Sequence, residues 1–279
     1  MLVSHFIDLV PIWMLLIGTI LLMAFFIEFG FRLGKKAQGT AKKAQTSQVR
    51  AIMGAGLGLL AFMLAFTFST AQSHFEVRVQ SLAEEARIAR NAFMQADLLT
   101  EPESTKAKLM LKEYVDLRSG KYKPSQTDVA ASLAELISLS EQIQKDLWSL
   151  ATNHRGQDPS DVADNRQSEM FLTSVLALTD IHYTRVHSAI MNRIPLTIWM
   201  TLYLMAVLSM IIMGYQAGLT DRRSPVATLT LAVAFSAVII LITDLDRPVM
   251  SFFEVNNQLL IDLDEFMQAD LQLQYIPGD

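Results

Sequence analysis

The chain has 279 residues, a formal charge of −5 and a mean hydropathy of +0.30, and 18% of its residues are charged, below the usual quarter of a soluble domain. The acidic balance argues against nucleic acid as a partner. The absence of cysteine excludes disulfides, thiolate metal sites and cysteine nucleophiles.

The charge deficit is concentrated in four uncharged stretches, Leu9 to Ile27, Ala51 to Phe75, Ile194 to Thr220 and Ser224 to Thr243, of 19, 25, 27 and 20 residues. Each is long enough to cross a hydrocarbon core of about 30 Å at roughly 1.5 Å per residue, which predicts four transmembrane helices, spans 1 to 4. Residues 1–8 hold no Lys or Arg, and no small-x-small cleavage pattern precedes the basic loop, so the first reads as a permanent span and not a signal peptide. Arg32, Lys35, Lys36, Lys42, Lys43 and Arg50 follow span 1, and Arg222 and Arg223 stand against Asp221 between spans 3 and 4. The positive-inside rule puts these two loops in the cytoplasm. Both termini and the region from Glu76 to Arg193 then face the periplasm of a bacterial inner membrane, although Arg78, Arg87, Arg90, Arg193 and Arg247 weigh the other way. The basic loop reads as a topology signal, with contact to anionic lipid as the alternative.

Residues 76–193 carry 14 basic and 17 acidic side chains among apolar residues at helical spacing. Phe75, Val79, Leu82, Ala86, Ala89, Phe93 and Ala96 form a 4-3-4-3 seam that runs back through Ala71, Phe68, Leu64 and Ala61. One helix from about Ala51 to Leu99, roughly 70 Å long, is expected. "TEPE" predicts the next helix, with Thr100 as cap and Glu103 as capping-box acid, ending near Gly120. "SQTD" (Ser125, Asp128) opens a third with the stripe Val129, Leu133, Leu136, Ile143, Leu147 and Leu150. Asp158 and Pro159 open a fourth, reaching Arg193, with the stripe Leu172, Val175, Leu176, Thr179, Val186 and Ile190. No strand pattern of useful length is present. The fold class is therefore an all-α membrane protein of four spans, with a helical bundle inserted between spans 2 and 3. Its segments are 1–75, the bundle 76–193, spans 3 and 4 at 194–247, and an amphipathic tail 248–279. "FMQADL" occurs at both 93–98 and 266–271, which two amphipathic helices explain without a repeat.

Catalytic signatures are weak. His182 and His187 are five apart, about 140° around a helix, and do not share a face. HExxH, GxSxG and P-loop patterns are missing. "GAGLG" at 54–58 lies inside an apolar span, where small residues let helices approach. No enzyme, metal or cofactor is expected. Glu28, at the end of span 1, has Arg32 as an i+4 partner, and spans 2 to 4 hold no ionisable residue internally apart from His74. That pattern suits a passive pathway, or none. Thr67, Ser69 and Thr70 stand among Phe62, Phe66 and Phe68 in span 2; they read either as a hydrophobic constriction beside hydroxyls or as faces turned to lipid and neighbouring helices. Glu84, Glu85, Arg87, Arg90, Asp180, His182 and Arg185 lie on or near packing seams, as a structural network or a ligand site. Asp244, Asp246 and Arg247, followed by Pro248, close span 4 as a structural latch or an ion site.

"LLAFMLAFTFSTAQSHFEVRVQSLAEEARIARNAFMQADLL", "LKEYVDLR", "HYTRVHSAIMNRIPLTIW", "MGYQAGLTDRR" and "LDRP" resemble, in order, the bacterial bestrophin-like family. Glu85, Asp97, Tyr114, Arg118, His182, Arg185, Arg193, Pro195, Trp199, Asp246, Arg247 and Pro248 fall on family-like positions. More distantly, span 2 resembles that of the bestrophin anion channels. This likeness implies a pentamer with Leu60, Leu64 and Phe68 lining a neck, and Phe62 and Phe66 as the competing face. "DLDEF" at 262–266 is a thin echo of the bestrophin calcium clasp. Two readings stand: a homo-oligomeric channel embedded in membrane lipid, and a non-conducting sensor or assembly protein whose helical domain binds a ligand or partner.

Overall fold

The computed structural model describes residues 10–38, 43–121, 129–154, 162–191, 193–220, 224–247 and 257–274. Among the described residues there are eight helices and no strand: α1 (Ile12–Ala37), α2 (Lys43–Ala96), α3 (Glu103–Ser119), α4 (Val129–His154), α5 (Val162–Met191), α6 (Leu196–Thr220), α7 (Pro225–Asp246) and α8 (Gln258–Gln274). Helices α1, α2, α6 and α7 are long and apolar enough to cross a membrane. The protein is all-α and multi-pass.

Helix α2 runs 54 residues without interruption. It holds no proline, and its three glycines sit in the apolar half, so nothing removes a ladder hydrogen bond along its length. Helix α3 starts differently from the capping-box expectation. Pro102 occupies the N-cap position, which leaves the Thr100 side chain too early to reach the N3 amide. The Thr100 backbone carbonyl accepts from the Glu103 and Ser104 N–H groups at 3.0 and 3.2 Å, and the Glu101 carboxylate takes the Thr105 hydroxyl at 2.8 Å. Gly120 ends α3 at φ +86°, a left-handed conformation that glycine adopts without a Cβ penalty. The expected caps at Ser125, Asp128, Asp158 and Pro159 lie outside the described residues.

The chain divides into two compact units. One comprises Val3–Phe75 and Asn192–Glu254; the other comprises Glu76–Met191 with Val255–Asp279 and the first two residues.

In the first unit, α1 and α6 touch backbone to backbone. A Cβ on Gly30 or Gly34 would overlap the carbonyl oxygen of Ile211 or Tyr215, and one on Gly214 or Gly218 would overlap that of Ile27 or Phe31. Two GxxxG patterns thus face each other, and the paired numbers rise together, so the helices run in the same direction, as a first and third crossing must. The "GAGLG" segment plays a smaller part than its composition implies. A Cβ on Gly56 would meet Ser209 Oγ at 3.7 Å, while Gly54 and Gly58 face open space. Met23, Leu60, Leu64, Ala71, Trp199, Leu202, Met210 and Ile239 are among the buried residues of this unit.

In the second unit, Phe93, Leu111, Tyr114, Leu147, Phe171, Leu178, Leu260 and Met267 are buried in one core. The inward face of α5 is rotated from the expected stripe. Phe171, Val175, Leu178 and His182 are buried, whereas Leu176 and Thr179 are exposed. All these positions are apolar or weakly polar, so the pattern alone tolerated a rotation of one residue. Helix α8 packs through Leu260, Leu263 and Met267, a 3-4 step that makes it amphipathic.

Candidate functional site

The apolar half of α2 has an inner and an outer side. Leu60 and Leu64 are 0% and 3% exposed and belong to the core of their own chain, while Phe62 and Phe66 are 67% and 59% exposed. Phe68 is half-buried and packs against the same core. Leu60 and Leu64, the residues that the bestrophin likeness places at a neck, are thus sealed inside one protomer. Of the two α2 faces, the competing one, Phe62 and Phe66, is open. Leu59 and Ser69 are exposed with them, and Gly54, Ala55, Gly58, Ala61 and Ala65 are among the small exposed residues. The hydroxyls are already engaged: Thr67 Oγ1 donates to the Met63 carbonyl at 2.7 Å and Thr70 Oγ1 to that of Phe66 at 3.1 Å. Thr67 is buried and Thr70 half-buried.

The Asp-Leu-Asp-Arg segment ends α7 as a set of chain-end ties. Asp244, Asp246 and Arg247 are all buried. Asp246 Oδ1 accepts from the Ile194 N–H at 2.9 Å, just ahead of α6. Arg247 donates from a terminal guanidinium nitrogen to the Val10 carbonyl at 2.9 Å, just ahead of α1. A short acidic-basic pair thus meets backbone groups just ahead of two other helices. Pro248 lies outside the described residues.

In the second unit, three helices bring together a cluster of charged and polar groups. Glu85 of α2 is fully buried. It accepts from Tyr114 Oη at 2.5 Å and Arg118 Nε at 3.0 Å, both on α3, and pairs through its other oxygen with Arg185 of α5. Burial alone would raise the Glu85 carboxyl; the two guanidinium charges and the donated hydrogen bonds reverse this and hold it at about 2. Tyr114 is pushed well up by burial and the adjacent carboxylate. His182, also buried, is pushed down to about 4 by burial and then by the Arg118 charge. Its Nδ1 lies 3.3 Å from Tyr114 Oη. The Tyr114 proton goes to Glu85, so Nδ1–H donates to the tyrosine oxygen, and Nε2 is left with a lone pair. Nε2 is buried and meets no hydrogen-bond partner among the described residues. Glu85 and His182 both titrate well below neutrality, so neither is poised as a general acid or base at pH 7. With one carboxylate against two guanidiniums, the cluster's net charge is +1.

Asp180 does not join this cluster. It is exposed, because two residues from His182 is about 200° around α5. Glu84 and Arg87 pair with each other on the exposed side at 2.5 Å, and Arg90 lies over the Phe266 ring at 5.1 Å.

A second polar group, between α3 and α8, is absent from the sequence-based expectations. Buried Lys108 meets Asp97, Asp270 at 2.8 Å, and the Phe93 ring. Asp264 faces Lys112 at 3.3 Å and Lys121. Burial would raise the Asp264 carboxyl, but hydrogen bonds from Lys121, Asp116 and Lys112 lower it overall. Asp116 is raised by burial, Lys112 not fully offsetting it, and by the bond it shares with Asp264. The acidic echo at 262–266 therefore engages lysine ammonium groups. The signal that could have found this pairing is the lysine spacing of α3, Lys108 and Lys112, four apart on one face.

A family model described as Bestrophin-like domain matches residues 20–258. No curated protein and no solved structure matches the chain.

Proposed function

The chain belongs to the bestrophin-like domain family, and from that premise we propose that it forms a homo-oligomeric, passive ion pathway in a bacterial inner membrane. Copies of α2 surround the path, five of them by resemblance to bestrophins. The observation that carries this reading is the open apolar face of α2 at Leu59, Phe62 and Phe66. A ring of such side chains narrows a pore to a width at which water leaves it, and small changes in diameter then gate conduction. Buried Leu60 and Leu64 hold the helix in its own protomer, and Thr70 borders the constriction. The helical bundle of residues 76–193 is an extramembrane insert between spans 2 and 3, periplasmic by the basic-loop rule. Asp244, Asp246, Arg247 and Pro248 serve as a structural latch.

Purified full-length protein in liposomes tests this. The expected result is an oligomer by mass photometry, with small-ion flux that rises when Phe66→Ser widens and wets the path. A monomer without flux, in wild type and variant alike, overturns it. A second reading, a non-conducting sensor, draws on the unpartnered His182 Nε2 inside the bundle. It calls for a ligand that binds the bundle with flux absent.

A further inference from the structure

We propose that the cavity between α1, α6 and α7 is a lipid site that takes one acyl chain of an anionic phospholipid, with the phosphate at Lys35 and Lys36. The cavity measures about 220 Å³, far above the ~10–15 Å³ that admits a single water. Its wall is mainly Ala24 and Phe31 of α1, Gly214 and Ala217 of α6, and Leu229 and Ala232 of α7. Ala24, Gly214, Ala217 and Ala232 are too small to fill the space between the three helices.

Two of the polar side chains at the cavity are already engaged. The Thr228 hydroxyl donates to the Ser224 and Pro225 carbonyls at 2.9 and 3.1 Å, and Glu28 accepts from Arg32 at 3.1 Å. A water needs two to four polar partners, whereas a methylene chain needs none. In a bilayer the abundant occupant of an apolar opening is an acyl chain.

Charge sets the head group. Ala24, Phe31 and Lys35 follow one another along α1 toward its basic end, and the Lys35 ammonium lies 5.9 Å from the centroid of the Phe31 ring. Lys36 is beside it in the last turn. With Glu28 offset by Arg32, the two lysines give this end of the cavity positive charge, which selects an anionic over a zwitterionic head group.

The test uses the full-length protein, delipidated in detergent, with phosphatidylglycerol and phosphatidylcholine of equal chain length as probes. Native mass spectrometry reads bound lipid and thermal unfolding reads its effect. The expected result is a retained phosphatidylglycerol adduct with a raised Tm, and a weaker response to phosphatidylcholine. Lys35→Gln with Lys36→Gln should weaken phosphatidylglycerol about thirtyfold, at roughly fivefold per lysine. Ala217→Leu should abolish the adduct while preserving lipid-free Tm; if it fails to fold, Ala232→Leu replaces it. Equal response to the two lipids, or an adduct that survives filling of the cavity, overturns the proposal. None of these readouts involves conductance, so the lipid site and the ion pathway fail independently.

Discussion

Replacing Glu85 with glutamine removes the carboxylate that Arg118 and Arg185 share in the buried cluster. The carboxyl is held at about 2 against an ordinary 4.5, and at 1.36 kcal/mol per pH unit this favours the ionised form by about 3 kcal/mol. Breaking a buried pair by deleting one partner costs about 3–5 kcal/mol, because the remaining charge stays desolvated. The two routes agree, so Glu85→Gln should destabilise the protein by about 3 kcal/mol at pH 7, roughly 6–12 °C in Tm. The assay is unfolding of the full chain in detergent, followed by tryptophan fluorescence, with Trp148 on α4 as a probe in the same unit. The sign is set by the lowered carboxyl: its contribution is present above 4.5 and disappears as pH falls toward 2. The gap between wild type and variant should therefore close near pH 2. Adding Arg185→Gln to Glu85→Gln should recover part of the loss by removing one unpaired charge. A gap below about 1 kcal/mol at pH 7, or one unchanged at pH 2, would refute the reasoning.

His182 supplies a second pH window. The folded chain protonates it near 4 and the unfolded chain near 6.5, so acidification across this interval favours the unfolded state by up to about 3 kcal/mol. His182→Gln should flatten stability between those two pH values in a pH-resolved melt. Gly214→Val should separate α1 from α6, because the first added carbon already overlaps the Ile27 carbonyl, and a Tm loss worth about 3 kcal/mol or more is expected. Gly58→Ala, which meets nothing within 4 Å, should be neutral or gain up to ~1 kcal/mol of helix propensity. Asp246→Ala strands the buried Ile194 N–H at a cost of about 1–3 kcal/mol, and Asp246→Asn, which keeps an acceptor, should lose less in the same melt.

Four membrane-crossing helices were legible in the residues alone, because an uncharged run of that length has no stable place in water. The continuity of α2 was legible for a related reason: neither proline nor a capping pattern interrupts its seam. The family was legible in the ordered blocks that end with "LDRP". Which face of α2 turns inward was not. Leucine and phenylalanine at 60, 62, 64 and 66 are equally apolar, so only packing in three dimensions separates buried Leu60 and Leu64 from open Phe62 and Phe66. The facing glycines of α1 and α6 are not legible in sequence, because each GxxxG takes its meaning from a partner about 180 residues away. The Glu85 cluster was half legible. Its residues stood out as charges on seams, but three helices had to pack before Tyr114, Arg118 and Arg185 converged on one carboxylate and Asp180 turned to solvent. Periodicity reports which residues share a face of one helix; which face meets which is decided by shape and charge across the whole chain.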